Sequence, residues 1–403
     1  MTEGQNRFDA HRALSAMLTH AASHTPYYRD QSWAKTLRET GRVGLREIPI
    51  TPKAVVRDQT RAFYAEFVPP SHGEVKDKPT SGSTGEPMVV HKTARHWAIN
   101  ARENARLKQG WGYENHKRMV QISVPQSDHP RGSVTESDMA NGGHSWQFYT
   151  GETLSAYDFV RRIGPTLLVC APSVAQTILE RARELSETLP VQLISTVSEV
   201  VTDELRELVA ALPGCRLVDV YGCIESGLIA IQCARCGAYH PADRHLVLEV
   251  LNESGKPAGP GEMGRVIVTP LFNRAMPLVR YETGDYAVIA EPNGCPRSPR
   301  GIKRIIGREK NLFKLPGGKR VVPRIPHRVA AGLSLRQFKL FQIGETEVEL
   351  HYIPAADGVA ISDEQAQEMV DKYMEPGFKV RSVRVAELAR APSGKFLQHE
   401  CLI

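Results

Sequence analysis

The fold is decided by a stretch that runs Arg216-Leu-Val-Asp-Val-Tyr221-Gly-Cys-Ile-Glu225, a β-rich segment that ends in a glycine turn and a glutamate. It is the last of four short β-rich segments that alternate with helical ones. The predicted strands are residues 119–124, 166–170, 191–195 and 216–220, and the predicted helices are residues 155–163, 173–189 and 202–212. This succession predicts an α/β fold with a mostly parallel sheet and helices on both of its faces.

The N-terminal region predicts two helices. Apolar residues at helical spacing indicate a helix over residues 11–22. In the stretch Ile50-Thr51-Pro52-Lys53, a capping residue precedes a proline at the first helical position, which predicts a second helix through Val56.

The sequence pattern changes after Glu225. Segments 246–251 and 266–269 are joined by a connection rich in glycine and proline, which predicts an antiparallel β subdomain. We place a domain boundary at residues 308–310, so that a large N-terminal domain covers residues 1–307 and a small mobile α+β domain covers residues 308–403. The strands and the helix of this C-terminal domain are predicted at residues 337–342, 347–353, 363–373 and 380–385.

The composition is that of a globular protein. Of the 403 residues, 41% are hydrophobic and 24% are charged, which excludes a disordered chain and provides length for two or three domains. No apolar run approaches the roughly 18 residues that a membrane-spanning helix requires, and the N-terminus lacks the pattern of an export signal. We therefore expect a cytoplasmic protein, monomeric or homodimeric, without a membrane partner.

The basic residues are concentrated in one segment. The chain has a net charge of +6, but residues 297–324 contain ten bases and one acid, for +9, and the rest of the chain carries −3. Such a segment suits a polyanion such as a nucleotide or a cofactor phosphate, and a solvated loop-rich face is the alternative. Nucleic acid is a weaker alternative, because no aromatic residues for base stacking are interleaved with the bases.

Several motifs contain residue types suited to nucleotide chemistry. The loop Thr80-Ser81-Gly82-Ser83-Thr84-Gly85 lets backbone amides approach a phosphate, although it lacks the lysine of a Walker loop. Tyr221 offers a face to a purine, and Glu225 offers an oxygen ligand to magnesium. Asp285 suits a ribose diol, and Arg308 and Lys395 stand beside glycine turns. Each motif alone has a structural alternative, such as a surface loop, a turn, a cap or a solvated charge.

Taken together and in this order, the motifs resemble those of the adenylate-forming superfamily of acyl-CoA ligases, adenylation domains and luciferases, and within it the phenylacetate–CoA ligase family. The resemblance extends from residues 24–29 to Lys395, nearly the whole chain. It implies an ATP-dependent enzyme that activates a carboxylic acid, aromatic or arylacetic, as an acyl adenylate and then transfers it to the thiol of CoA. The implied cofactors are ATP, Mg²⁺ and CoA.

The resemblance also implies roles for individual residues. Glu225 would bind magnesium and Lys395 would bridge the carboxylate and the α-phosphate, which makes both residues catalytic. Lys310 would be the hinge about which the C-terminal domain rotates between the half-reactions. The nucleotide contacts would be Thr80, Ser81, Gly82, Ser83, Thr84, Gly85, Ser198, Glu199, Tyr221, Gly222, Asp285 and Arg308. The acid pocket would be lined by His144, Trp146, Tyr149, Ala171, Pro172 and Ser173.

Three residues depart from the family pattern. Glu86 stands where many relatives have lysine, Glu282 where the family has arginine, and Ser198 where it has glycine or alanine. These departures bear on the choice of acid and acceptor, and transfer to an amine or a carrier-protein thiol is the alternative reaction. A non-catalytic nucleotide-binding regulator is the alternative from another class, and the retention of both Glu225 and Lys395 argues against it.

The placement of the cysteines predicts a structural zinc site. Seven cysteines, an odd number in a chain of this length, argue against a disulfide framework. Cys233 and Cys236 form a Cys-x-x-Cys pair, His240 follows four residues later, and Cys295 lies 55 residues further on. Three thiolates and one imidazole are four ligands of the kind that hold a structural zinc ion in tetrahedral geometry. Some members of the resembled family bind zinc at these places. His245 is the alternative to His240, and unpaired surface side chains are the alternative to a metal site.

Overall fold

The computed structural model describes residues 3–80, 88–125, 128–292, 294–295, 301–323, 325, 333, 335–354, 360–374, 377–388 and 398–403. The chain forms two compact units. The first comprises Met1–Asn115 and Val218–Ile305, and the second comprises His116–Leu217 and Ile306–Ile403. Within the described ranges, no helix combines the length and the apolar character needed to cross a membrane.

The helices and strands follow one another along the chain as named here. The α-helices are α1 (Glu3–His24), α2 (Pro26–Arg29), α3 (Ser32–Thr40), α4 (Lys53–Asp58), α5 (Ala94–Lys108), α6 (Thr153–Ile163), α7 (Pro172–Glu184), α8 (Asp203–Ala210) and α9 (Asp363–Tyr373). The strands are β1 (Val75–Pro79), β2 (Val89–Thr93), β3 (Arg118–Ser123), β4 (Val134–Asp138), β5 (His144–Tyr149), β6 (Leu167–Cys170), β7 (Leu193–Val197), β8 (Arg216–Cys223), β9 (Gly227–Gln232), β10 (Tyr239–Pro241), β11 (Leu246–Leu251), β12 (Met263–Pro270), β13 (Tyr281–Ile289), β14 (Ile302–Arg308), β15 (Phe313–Lys314), β16 (Arg320–Val321), β17 (Leu335–Gly344), β18 (Glu347–Pro354), β19 (Lys379–Arg384) and β20 (His399–Cys401). Short 3₁₀ helices cover Leu45–Glu47, Thr60–Phe63, Pro70–His72, Tyr113–Asn115 and Glu309–Asn311.

The strands of the first unit follow the order β11-β12-β13-β14-β10-β9-β8, and the pairs β11–β12, β12–β13, β10–β14, β9–β10 and β8–β9 are antiparallel. The β11–β12 pair is the predicted hairpin, with Leu246 opposite Pro270. Alternating apolar residues of β12, such as Val266 and Val268, are fully buried and pack with Ala21 and other residues of α1 in one core. The predicted antiparallel subdomain is therefore present, and β1 and β2 form a separate hairpin beside it.

The two predicted N-terminal helices exist, and the second begins one residue later than predicted. Helix α1 covers the predicted residues 11–22 and extends beyond both ends. Pro52 is the N-cap of α4 rather than its first helical residue. Thr51 does not cap the helix, because its hydroxyl donates instead to the carbonyl oxygen of Val279 at 2.8 Å.

The second unit contains the predicted parallel sheet. Its strands β7, β6, β3, β5 and β4 follow one another in that order. The pairs β6–β7, β3–β6 and β3–β5 are parallel, and β4 pairs with β5 antiparallel at the edge. Helices α6, α7 and α8 pack on it around an apolar core. Helix α7 ends at Glu184, before the predicted residue 189, because the chain turns at Ser186 with φ +53°. Strands β4 and β5 were not predicted from the sequence.

The C-terminal residues form a sheet with its own core. The strand order is β19-β18-β17-β20; β17–β18 is antiparallel, and β18–β19 and β17–β20 are parallel. Helix α9 packs on it, and Ser362 caps this helix through a reciprocal capping box with Gln365. The α/β class is thus confirmed. The domain boundary at residues 308–310 stays a prediction.

Candidate active site

A tight turn between antiparallel strands positions Glu225. Strand β8 ends at Cys223 and β9 begins at Gly227, so the glutamate lies on the connecting turn. A Cβ atom on Gly222 would lie 2.7 Å from the carbonyl oxygen of Gly227, and Gly227 itself has φ +81°. Both positions require glycine, because a side chain would push the strands apart or strain the left-handed backbone.

The Glu225 carboxylate is buried and held by two donors. The residue is 3% exposed. Its Oε1 atom accepts a hydrogen bond from the Lys53 ammonium at 2.9 Å and another from the Tyr281 hydroxyl at 2.8 Å. Burial raises the pKa of Glu225, but the charge and hydrogen bond of Lys53, a backbone N–H and the Tyr281 hydroxyl together outweigh burial and lower the pKa to about 2. Glu225 is therefore an ionised oxygen ligand at neutral pH, the kind that Mg²⁺ prefers.

The two donors come from distant parts of the sequence. Lys53 is the first residue of α4, and Tyr281 is the first residue of β13. A β-bridge between Thr51 and Tyr281 brings these two segments side by side. Arg280 has φ +47° and donates to both carboxylate oxygens of Glu249 at 3.0 and 3.1 Å, which fixes the start of β13. Lys53 could not be named from the sequence, because its pairing with Glu225 spans 172 residues and leaves no local pattern.

Two predicted nucleotide-binding residues are in direct contact. The Tyr221 hydroxyl donates to Oδ2 of Asp285 at 2.8 Å, and both residues are buried. Burial, and then the neighbouring carboxylate, raise the pKa of Tyr221 well above its ordinary value, so the hydroxyl stays protonated. Glu282, where the resembled family has arginine, forms an ion pair with Arg265 at 2.7 Å. The arrangement fixes an aromatic ring and a carboxylate relative to each other, as a nucleoside site requires.

Of the predicted phosphate loop, the structure describes Thr80, which directly follows β1 of the β1–β2 hairpin. The backbone N–H of Thr80 donates to the carbonyl oxygen of Met88 at 2.8 Å, and the Met88 N–H donates to the Thr80 hydroxyl at 3.0 Å. Thr80 therefore closes the base of the loop. The other loop residues lie outside the described ranges, namely Ser81, Gly82, Ser83, Thr84, Gly85 and Glu86.

In the second unit, the predicted adenine contact Glu199 meets part of the predicted acid pocket. Its Oε2 atom accepts a hydrogen bond from the Ser173 N–H at 3.0 Å, at the N-terminus of α7. The free N–H groups and the helix dipole favour a carboxylate there. Ala171 is the N-cap of this helix and Pro172 its first residue. Ser198 has φ +76°, a conformation that glycine adopts without strain.

The other predicted pocket residues lie on β5. Each ring nitrogen of His144 is 3.2 Å from a carboxylate oxygen of β4, and the rings of His144 and Trp146 are 4.6 Å apart. Tyr149 stacks on His129 at 4.5 Å. Because side chains alternate along a strand, His144 and Trp146 share one face of β5 and Tyr149 lies on the other. A pocket lined by His144 and Trp146 would therefore lie on the opposite face of β5 from a pocket lined by Tyr149.

The predicted hinge residue has a fixed partner. Arg308 ends β14, and Lys310 follows in a short 3₁₀ helix. The Lys310 ammonium lies 3.3 Å from one carboxylate oxygen of Glu400, and the Lys339 ammonium lies 2.9 Å from the other. One carboxylate of β20 thus holds both lysines. Lys395 lies outside the described residues.

The four predicted metal ligands form one cluster. The ligand atoms of Cys233, Cys236, His240 and Cys295 all lie within 4.8 Å of one another, and Sγ of Cys236 is 3.3 Å from Nε2 of His240. The Cys-x-x-Cys turn directs the backbone N–H of Arg235 at the Cys233 sulfur, at 3.4 Å. The three cysteines form no disulfide.

This cluster fits zinc by donor type and by spacing. Ligand atoms that lie 2.0–2.3 Å from a tetrahedral ion are roughly 4 Å from one another. Three sulfurs and one imidazole nitrogen are ligands typical of a structural zinc site. His245 is not part of the cluster, because its Nε2 atom lies 2.9 Å from the carbonyl oxygen of Ser226. The geometry therefore favours His240 over His245.

Replacing Lys53 with methionine tests how the Glu225 carboxylate is held. Because the folded-state pKa of Glu225 is lowered from about 4.5, its ionisation stabilises the fold above that pH, and this contribution is lost as pH falls toward 2. We expect Lys53→Met to lower the free energy of unfolding by about 1–3 kcal/mol at pH 7, since a buried carboxylate loses its cation. The loss should be smaller at pH 4, as urea denaturation at the two pH values will measure.

Lys53→Arg is the matched control, because it keeps the positive charge and should retain most of the stability. Equal losses for Lys53→Met at pH 4 and pH 7 would contradict the assignment, since a role in packing alone does not depend on the ionisation of Glu225.

The chain matches known proteins in sequence. Residues 79–270 match the family model described as AMP-binding enzyme. The phenylacetate-coenzyme A ligase of Thermus thermophilus is 26% identical over 322 residues, which cover 75% of this chain and 70% of that protein. The phenylacetate-coenzyme A ligase of Escherichia coli is 26% identical over 323 residues, with 75% and 71% covered.

The chain also matches solved structures. A crystal structure of 2-hydroxyisobutyryl-CoA ligase in the postadenylation state, in complex with R3-HIB-AMP, has a TM-score of 0.72 at 17% identity and covers 99% of this chain and 90% of that chain. This likeness shows the fold, and the sequence matches agree with the family that the ordered motifs predict. The sequence similarity therefore lies with AMP-binding enzymes over residues 79–270 and with phenylacetate-coenzyme A ligases over 75% of the chain.

Proposed function

We propose that the chain is an AMP-forming acid–CoA ligase that activates an aromatic or arylacetic acid as an acyl adenylate and then transfers the acyl group to CoA. The observation that carries this proposal is the buried, ionised Glu225, held by Tyr281 and Lys53 on the turn of a family motif. Relatives named as phenylacetate-coenzyme A ligases support the reaction type and the class of acid.

The first half-reaction brings two negative groups together. An oxygen of the substrate carboxylate attacks the α-phosphorus of ATP, an oxygen–phosphorus bond forms, and the bond to pyrophosphate breaks. Charge repulsion is the main obstacle to this step. Glu225 would hold Mg²⁺, which when bound supplies positive charge to the phosphates. Tyr281 orients the Glu225 carboxylate, and Lys53 keeps it ionised.

The nucleoside would be held by Tyr221 and Asp285. The tyrosine ring offers its face to adenine, and the aspartate oxygens accept hydrogen bonds from the ribose hydroxyls. Their mutual hydrogen bond at 2.8 Å orders both side chains before ATP binds, which lowers the entropy cost of binding. Thr80, which closes the base of the phosphate loop, would position that loop toward the β- and γ-phosphates.

The second half-reaction forms the thioester. The CoA thiolate attacks the carbonyl carbon of the acyl adenylate, a carbon–sulfur bond forms, and the bond from that carbon to the phosphate oxygen of AMP breaks. Lys395 would serve the first step alone, so residues 308–403 would rotate about Lys310 between the steps. The ion pairs of Glu400 with Lys310 and Lys339 support a pivot that is anchored to the C-terminal sheet.

Pyrophosphate release across a panel of carboxylic acids tests the proposed activity. We expect release that depends on ATP and Mg²⁺ with at least one aromatic or arylacetic acid, and acyl-CoA only when CoA is added. Transfer to hydroxylamine but not to CoA would favour an amine acceptor instead. ATP binding without pyrophosphate release from any acid would contradict the proposal and favour a nucleotide-binding regulator.

Asp285→Ala tests the nucleoside assignment. We expect the KM for ATP to rise roughly tenfold or more, because hydrogen bonds between a charged group and the ribose are lost, and the KM for the acid to change much less. Tyr221→Phe is the control, since it removes the contact with Asp285 but keeps the ring, and its effect on the KM for ATP should be smaller. An unchanged ATP dependence in Asp285→Ala would remove Asp285 from the site.

We further propose that Cys233, Cys236, His240 and Cys295 hold a structural zinc ion. The supporting observations are the spacing of their ligand atoms and the N–H group aimed at the Cys233 sulfur. Four protein ligands leave no position for water or substrate, so the ion would tie the segment after Glu225 to the segment before β14.

Chelation should therefore lower the melting temperature of the full chain, because metal binding contributes to folding free energy. We expect about one zinc per chain by elemental analysis after purification without a metal-affinity tag. Cys236→Ser should lose zinc and melt several degrees lower, whereas Cys215→Ser, a free cysteine outside the cluster, should keep the metal. Well under one zinc per chain, with no thermal shift on adding zinc, would end this proposal.

A further inference from the structure

A buried polar cluster in the first unit has no role in the chemistry described so far. It consists of Lys92 on β2, His96 in the first turn of α5, and His245 just before β11. The three residues are 0–1% exposed. We call this set the Lys92 cluster.

The ammonium of Lys92 is a buried cation without an anionic partner. No hydrogen bond or ion pair joins it to any residue in the described ranges, and it lies 4.6 Å from the centre of the Trp97 ring. Burial lowers the pKa of Lys92 to about 8, which still leaves it largely charged at neutral pH. A charge that is removed from water in this way is costly unless a ligand or an ion pairs with it.

The two histidines add unsatisfied polar atoms beside this cation. Both ring nitrogens of His96 and the Nδ1 atom of His245 are buried without a hydrogen-bond partner among the described residues. Burial lowers the pKa of both rings, that of His245 to about 4, so they are neutral. The cluster therefore carries one positive charge and several polar atoms without hydrogen-bond partners among the described residues. A bound polar group would satisfy them.

The Lys92 cluster adjoins the turn that carries Glu225. The Nε2 atom of His245 donates to the carbonyl oxygen of Ser226 at 2.9 Å. One turn along α5 from His96, the side-chain oxygen of Asn100 accepts from the N–H of Leu228 at 2.8 Å. The carboxylate of Glu225 also acts electrostatically on the Lys92 ammonium and favours its charged form.

No anion in the described surroundings is available to neutralise Lys92. Glu225 is already paired with Lys53. Glu103, a buried carboxylate that acts electrostatically on His245, is held by Arg106 through two hydrogen bonds of 2.6 and 2.7 Å. Burial raises the pKa of the Cys223 thiol to about 12, so it is neutral as well. The described residues thus leave Lys92 without a free anion, and a bound anion would complete the cluster.

We propose that Lys92, flanked by His96 and His245, is an anion subsite that recognises a second acidic group on the carboxylic acid substrate. This inference rests on the proposed function, in which Glu225 marks the place where the reacting carboxylate meets ATP. The reacting carboxylate is used in bond formation, so a fixed cation beside the site selects acids that carry another carboxylate. The preferred substrates are then aromatic or arylacetic acids with two acidic groups.

The test compares matched acids with one and two carboxylates. The pairs are benzoate with isophthalate and terephthalate, and phenylacetate with 4-carboxyphenylacetate. Pyrophosphate release gives kcat/KM, and the thermal shift of the full chain gives binding independently of catalysis. We expect the wild type to prefer the better diacid of a pair by on the order of tenfold to a hundredfold, the scale of a hydrogen-bonded charge pair.

Lys92→Met should abolish this preference and leave the monoacids unchanged. Its melting temperature without ligand should not fall, because the substitution removes a buried, unpaired charge. Lys92→Gln, which keeps a polar group, serves if the methionine variant does not fold. Lys108→Met is the matched control, since Lys108 also lies on an aromatic ring, 4.5 Å from the centre of Tyr113, and has a pKa lowered by burial to about 8.

The outcomes separate this inference from the proposed function. Binding of a diacid that Lys92→Met abolishes, without pyrophosphate release from any acid, would support the subsite and contradict the ligase. Equal preference for monoacids and diacids in the wild type, or an equal loss for both in Lys92→Met, would overturn the subsite while the ligase stands. Absence of both diacid binding and pyrophosphate release would overturn the two together.

Discussion

The ion pair between Lys53 and Glu225 is the interaction on which the candidate site depends. It joins the start of α4 to the β8–β9 turn across 172 residues of sequence. Burial alone would favour a neutral glutamate, and a neutral carboxyl is a poor ligand for a divalent cation. The Lys53 charge, a backbone N–H and the Tyr281 hydroxyl together outweigh burial, so the site has an ionised carboxylate before any substrate arrives.

The scaffold around this pair explains why its geometry can be kept. Gly222 and Gly227 let β8 and β9 approach closely at the turn, and the β-bridge between Thr51 and Tyr281 aligns the two donors with the carboxylate. Among the described buried cations of the first unit, Arg280 pairs with Glu249 and Arg274 donates to the carbonyl oxygen of Ala16. Lys92 differs from both, because it has no hydrogen-bond or ion-pair partner in the described ranges.

Local patterns were sufficient to predict much of the fold. Helical spacing over residues 11–22 and the alternation of β-rich and helical segments predict α1 and the parallel strands, because the physical signal lies within a few residues. The residues Tyr221 and Asp285, and the cysteine cluster, could be named from ordered motifs. The pairing of Lys53 with Glu225 and the burial of Lys92 could not, since both result from contacts between distant segments. The strands β4 and β5 were missed because polar residues such as Glu136 and His144 interrupt an alternating pattern at the sheet edge.

The most direct test of this account is the pKa of Glu225 itself. Carbon NMR of the full chain labelled at glutamate side-chain carboxyl carbons follows each titration, and the spectrum of Glu225→Gln assigns the signal. The account predicts that Glu225 stays ionised well below pH 4.5 and titrates near pH 2. Titration at or above pH 4.5 would contradict the claim that Lys53 and Tyr281 hold an ionised magnesium ligand in a buried site.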